Sequence, residues 1–241
     1  MDVILIPGLW LDGSSWDGVV PALADAGHRP YAITLPGLES KYADRSAITL
    51  RDHVDAVVSR IDASDGPVVL VGHSGGGAVA HSAVDARPDR VARVVYTASE
   101  PVGHGQCVND RLPSEHGEIP LPDWSFFDAE MLIDLDDELR ETIRDLAVPS
   151  PERAATDPLV LTDERRYDVP TTVVACEYPA AMLREWIAAG HPGAEELGRM
   201  KDVEYVDLPT GHWPQFSRPA DLARILVAAV NQSSSGSHSG S

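Results

Sequence analysis

Residues 68–83 read VVLVGHSGGGAVAHSA, and this stretch restricts the fold more than any other. Val68 to Val71 form an apolar run without alternation, the pattern of a strand buried on both faces. A turn containing Gly72, Gly75, Gly76 and Gly77 surrounds a single serine, Ser74, and a run of small residues with helical character follows to Pro88. Side chains at Gly72 and Gly76 would collide with the adjoining strand and helix, so glycine is required for so sharp a strand-to-helix passage. The start of the helix behind Ser74 also presents free N–H groups and a positive dipole end.

The same grammar recurs along the chain. Apolar runs predict strands at Val3–Ile6, Tyr31–Leu35, Val91–Thr97, Thr171–Cys176 and Val203–Leu208. Between them lie helical patterns. Trp16, Val19, Val20 and Leu23 recur behind a cap at Ser14 or Ser15, and Gly27 ends that helix. Thr49 to Asp52 gives a capping signal ahead of Leu50, Val54, Val57, Val58 and Ile61. Further helices are predicted near Ala180–Ala189, Ala194–Met200 and Ala220–Val230. Strands alternating with helices predict an α/β fold, a mostly parallel central sheet with helices on both faces. Residues 103–168 interrupt this pattern. They hold no clean strand, an acidic helix near Leu135–Leu146 and a stop at Pro149-Ser150-Pro151. They are expected to form an insertion at the carboxyl end of the sheet, where ligands of such folds bind. The core is then 1–102 with 169–232, and the low-complexity tail 233–241 is expected to be disordered.

Composition excludes several partners. The net charge of -19 argues against nucleic acid and against an anionic membrane surface. Cys107 and Cys176 are too few and too distant for a disulfide framework or metal cluster. No apolar segment is long enough for a transmembrane helix, and the first residues lack a basic signal-peptide region, so a cytoplasmic protein is expected. A small-molecule partner is expected; monomer and homodimer both stay open.

Gly72-His73-Ser74-Gly75-Gly76 fits the G-x-S-x-G nucleophile elbow, here with a strand before and a helix after. A serine needs a base. Seven of the nine histidines occupy helices, turns, the insertion or the tail, and His73 lies inside the elbow itself. His212, in DLPTGHWPQFSRP, follows the last strand at the sheet edge that also carries Ser74. It is the expected general base. The oxyanion donors are expected to be the N–H groups of Gly75 and Leu9, with Trp10 as the alternative second donor. Trp124, Phe126, Phe127 and Met131 give the insertion apolar residues, and Trp10, His73, Trp124, Phe127 and Trp213 are the expected substrate-pocket residues.

With IPGLW near the start, GHSGG at the elbow and GHWPQFSRP near the end, the chain resembles the α/β-hydrolase superfamily over nearly its whole length. It is most similar to small actinobacterial members related to esterases and hydroxynitrile lyases. That resemblance implies a Ser–acid–His order, no cofactor and no metal, and hydrolysis of an ester or lactone through an acyl-enzyme. It also implies a small helical lid after the strand Val91–Thr97, the sixth in the superfamily's count. For the acid it implies an aspartate where this chain has Ala98. Glu100, two residues on, and Glu177, after the strand Thr171–Cys176, are the replacements, with Glu100 preferred for its reach. If the acid were lost, a ligand-binding protein with a degenerate triad would result; lyase or cyclase chemistry on the same residues is the other alternative.

Overall fold

The computed structural model describes residues 1–236. Its strands in chain order are β1 (Asp2–Ile6), β2 (Arg29–Ala32), β3 (Val68–His73), β4 (Val91–Thr97), β5 (Glu118–Ile119), β6 (Ser150–Pro151), β7 (Thr171–Ala175) and β8 (Val203–Asp207). Six of them form one sheet in the order β2-β1-β3-β4-β7-β8, and every pairing is parallel. Burial explains the composition: β1, β3 and β7 are buried along their whole length, while the edge strands β2 and β8 are not. β2 begins two residues before the expected Tyr31. It includes Pro30, whose missing N–H is tolerated at a sheet edge.

Alternate residues of each strand feed the two faces. Helix α1 spans Val20–Asp25, and Ile4, Ile6, Leu70, Tyr96 and Val173 pack under helices α2 (Leu50–Asp62) and α3 (Gly75–Ala86). Val3, Leu5, Val69, Val95 and Val174 meet Trp16, Val19 and Leu23 on one side and the C-terminal helix Pro219–Gly236 on the other. A capping box starts α2: Thr49 accepts from the Asp52 N–H, and Asp52 accepts from the Thr49 N–H. At the first helix the cap is Asp12, not Ser14 or Ser15. Its carboxylate accepts from the Ser14 N–H and opens a 3-10 turn, and the α-helix proper starts at Val20. The C-terminal helix runs through Gly236, so residues 233–236 are helical rather than part of a tail; the remainder of the expected tail lies outside the described residues. Among the described residues no helix is long and apolar enough to cross a membrane.

The inserted segment follows β4, which is the fourth strand of this chain's own sheet. It contains the antiparallel pair β5–β6, so Pro149-Ser150-Pro151 leads into a strand rather than a stop. Two-residue strands are too short to show periodicity. The acidic helix of this segment spans Asp137–Leu146, capped by Asp136 on the Leu139 N–H. The segment has a small core of its own, in which Ile119, Leu135 and Ile143 pack with Trp10, Leu11 and Trp213 from the sheet's carboxyl edge.

The glycines of the elbow have backbone neighbours. A Cβ on Gly76 would overlap the carbonyl oxygen of Pro7 and lie 2.6 Å from that of Ile6. Neither can yield without moving β1. Gly76→Ala is expected to lower unfolding free energy by about 3 kcal/mol or more. Gly66→Ala, where a Cβ meets nothing within 4 Å, should change it by less than about 0.5 kcal/mol. Urea denaturation of the two variants checks the contrast.

Candidate active site

Ser74 sits between β3 and α3 with φ +52° and ψ -126°, a conformation few residues adopt without support. Its backbone has that support. The Ser74 N–H donates to the Thr97 carbonyl at 3.2 Å, and its own carbonyl accepts from the Gly77 N–H at 2.8 Å and the Ser99 hydroxyl at 2.8 Å. The hydroxyl of Ser74 does not cap α3, which leaves it free to face outward. The loop after β1 comes close because Gly8 has no side chain: a Cβ there would lie 2.8 Å from His73 Nδ1 and 2.9 Å from Ser74 Cβ.

His212 stands in the loop after β8, with Nε2 2.7 Å from Ser74 Oγ. Two sets of contacts fix this loop. The N–H groups of Gly211 and His212 donate to the carbonyls of Ile133 and Met131 in the inserted segment, at 3.1 and 2.8 Å. The His212 carbonyl accepts from His73 Nε2 at 2.7 Å, and His73 Nδ1 accepts from the Gln215 amide at 3.1 Å. Burial, reinforced by His212, drives the His73 pKa down to about 3, so this ring is neutral and fits those two bonds. His73 therefore holds the His212 backbone and does not line the cavity, contrary to the sequence expectation. Gln215 went unnoticed in the sequence; its only signal is its place three residues after His212.

The carboxylate on His212 Nδ1 belongs to Glu177, which accepts its hydrogen bond. The preference for Glu100 is corrected, and strand order is the reason. β7 lies between β4 and β8, so a residue just past β7 is beside the loop that leaves β8. Glu100, just past β4, is one strand further away. The two carboxyls also differ electrostatically. Burial opposes ionisation of Glu177, but the hydrogen bond and charge of His212 outweigh it and hold the carboxyl below its ordinary value. Burial pushes Glu100 up to about 7, and the neighbouring Glu177 charge adds to that. Ala98, in the place where an aspartate was implied, has φ +46° and presents only a methyl group to the cavity.

Leu9 and Gly75 come together at the Ser74 hydroxyl: a Cβ on Gly75 would lie 3.2 Å from Leu9 Cγ. Among the described residues their N–H groups have no hydrogen-bond acceptor. Trp10 is removed as a donor, because its N–H already donates to Ser150 Oγ at 2.8 Å. Its indole N–H donates to the Ile119 carbonyl, and its own carbonyl accepts from Val148, so Trp10 ties the loop after β1 to the inserted segment. Ser150 was invisible as a partner because it is 140 residues distant.

Ser74 and His212 open into a cavity of about 360 Å³. Leu9, Trp10 and Gly75 line it, together with Phe126, Phe127 and Met131 of the inserted segment. Trp124 and Trp213, expected on the wall, stand behind it. Trp213 is buried and meets Phe127 edge-on at 5.4 Å, and Trp124 lies 5.8 Å from the same ring, so both back up Phe127 instead of touching a ligand. Val108, Asn109 and Leu112 also line the cavity; nothing in the sequence marks them. Among the described residues no group of three or more His, Cys, Asp or Glu is arranged to hold a metal ion.

Comparison with known proteins bears on the family and the fold. The chain is 30% identical over 112 residues to a carbendazim hydrolyzing esterase of Nocardioides sp., covering 46% of each protein. It is 34% identical over 96 residues to a pyrethroid hydrolase of Sphingobium wenxiniae, covering 39% of this chain and 34% of that one. The chain thus spans less than half the length of these two relatives. Among solved structures, an extracellular alpha/beta-hydrolase from a Paenibacillus species superposes with a TM-score of 0.76 at 21% identity, over 95% of this chain and 98% of that one. The sequence profile described as the alpha/beta hydrolase family matches residues 3–225, and with the parallel sheet and its serine turn this chain belongs to that family.

Proposed function

We propose that this chain is a serine hydrolase that cleaves an ester or lactone bond of a small, largely apolar molecule through an acyl-enzyme. One observation carries the reading: an unbroken hydrogen-bonded line from Glu177 through His212 to Ser74 Oγ, ending in a cavity beside two unpaired N–H groups. In this reading Ser74 Oγ attacks the carbonyl carbon while His212 Nε2 takes its proton. The oxyanion is held by the N–H groups of Leu9 and Gly75. His212 then returns the proton to the leaving alcohol, and a water repeats the sequence on the acyl-enzyme. Glu177 keeps the imidazole in the required tautomer and stabilises its cation. The activities in the names of the relatives, esterase and hydrolase, support ester cleavage. The binding-protein alternative took its motive from a missing acid, and Glu177 removes that motive.

A fluorophosphonate probe followed by peptide mass spectrometry tests the reading. The expected result is rapid, stoichiometric phosphonylation at Ser74. Folded protein that stays unlabelled overturns it.

A further inference from the structure

The cavity at Ser74 is apolar on most of its wall but carries charge of one sign. Glu100, from the loop after β4, and Asp128, from the inserted segment, both line it, and among the described residues no lysine or arginine does. Neither carboxyl is occupied elsewhere among the described residues. The Glu100 side chain has no hydrogen bond or ion pair. Asp128 stands at the start of the 3-10 turn Ala129–Leu132 yet accepts no capping bond from it. The proposed mechanism uses neither group, since the place on His212 belongs to Glu177.

An unpaired carboxyl in an apolar cavity is poorly solvated when ionised, and a cation beside it relieves that cost. The aromatic residues of the same wall favour the same ligand. Trp10, Phe126 and Phe127 all line the cavity, Trp10 and Phe127 meeting edge to face at 5.9 Å and Phe126 and Phe127 at 5.7 Å, so π-electron-rich rings stand beside the two acids. Carboxyl groups joined to aromatic faces suit a positively charged nitrogen, including one too substituted to donate a hydrogen bond.

We propose that Glu100, with Asp128 and the aromatic wall of Trp10, Phe126 and Phe127, selects esters that carry a cationic nitrogen. This rests on the esterase reading above and names its substrate class. Amine-bearing and quaternary ammonium esters are favoured, and esters with a free carboxylate are rejected by the same two acids. Charged and titratable groups near Glu100 are Cys176, Glu177 and Tyr178 after β7, His212 after β8, Asp128 in the same cavity, and Cys107 and Asp110 on an adjoining surface groove. Only His212 among them can offset a second negative charge. With Glu100 titrating at about 7, its attraction for a cation grows as pH rises through neutrality.

The test compares kcat/KM for butyrylcholine and its uncharged carbon isostere, 3,3-dimethylbutyl butyrate, at pH 6 and pH 8. A preference for the cation of about tenfold at pH 8, smaller at pH 6, is expected. In Glu100→Gln the ratio should fall severalfold, and in the more exposed position Asp128→Asn gives a second, smaller fall. A ratio at or below one, or one that neither variant changes, overturns the proposal. Calorimetric Kd values for the matching ketones, in which CH2 replaces the ester oxygen, separate it from the esterase reading. Cation-selective binding without turnover of either ester supports the cation site and overturns the esterase. Turnover of both esters without preference overturns the cation site alone.

Discussion

Ser74→Ala is expected to lower kcat on an activated ester by about 10⁶-fold while leaving the fold in place. The loss is large because base, acid and oxyanion donors all act through this one oxygen. The fold should persist because the hydroxyl holds nothing else: among the described residues its one hydrogen bond is to His212 Nε2. The contacts that keep Ser74 at positive φ are made by its backbone, to Thr97, Gly77 and Ser99, and an alanine keeps all three. Alanine also has the same Cβ as serine, so the strain of the turn is unchanged. Unfolding free energy should therefore move by less than about 1 kcal/mol. Single-turnover kinetics and urea denaturation on the same preparation give both numbers. A variant that keeps more than about one part in a hundred of kcat would assign the nucleophile elsewhere.

What the sequence made legible follows the range of each interaction. Ser74 is marked by its immediate neighbours, since Gly72 is needed by backbone a few residues on and Gly76 by the end of β1 directly beneath, while Gly77 makes room for the Ser99 side chain. His212 is marked by its place just after a strand, because the carboxyl edge of a parallel sheet collects such loops. The acid was not legible. Both Glu100 and Glu177 follow strands at that edge, and the choice depends on which strand neighbours β8, a property of the whole sheet. Trp10 failed as a donor for the same reason, its N–H being taken by a serine far along the chain. His73 and Trp213 were correctly placed near the site in sequence but on the wrong side of it in space. A histidine beside a serine suggests a ligand contact, whereas here burial makes it neutral and turns it to the His212 carbonyl.

The distinction between the two carboxylates gives the second large effect. Glu177→Gln is expected to lower kcat by about 10³ to 10⁴-fold, since an amide neither enforces the imidazole tautomer nor balances the imidazolium. Glu100→Gln should cost far less on an uncharged ester. Stability separates the pair independently of any substrate, through opposite signs of linkage. The Glu177 pKa is held below its ordinary 4.5, so its stabilisation is present above that value and lost as pH falls through the lowered pKa. Glu177→Gln should therefore unfold at lower temperature than the parent at pH 7, with the gap closing in acid. Glu100 is raised from 4.5 to about 7. Its folded state binds the proton more tightly, so the parent loses stability as pH climbs from the unfolded value through 7, by up to about 3 kcal/mol. Glu100→Gln lacks that loss and should unfold at higher temperature than the parent at pH 8, with no advantage near pH 4. Thermal unfolding of parent and both variants across this range checks the two signs together. Curves that shift in the same direction with pH would mean that the two carboxyls share one environment, and the assignment of separate roles would fail.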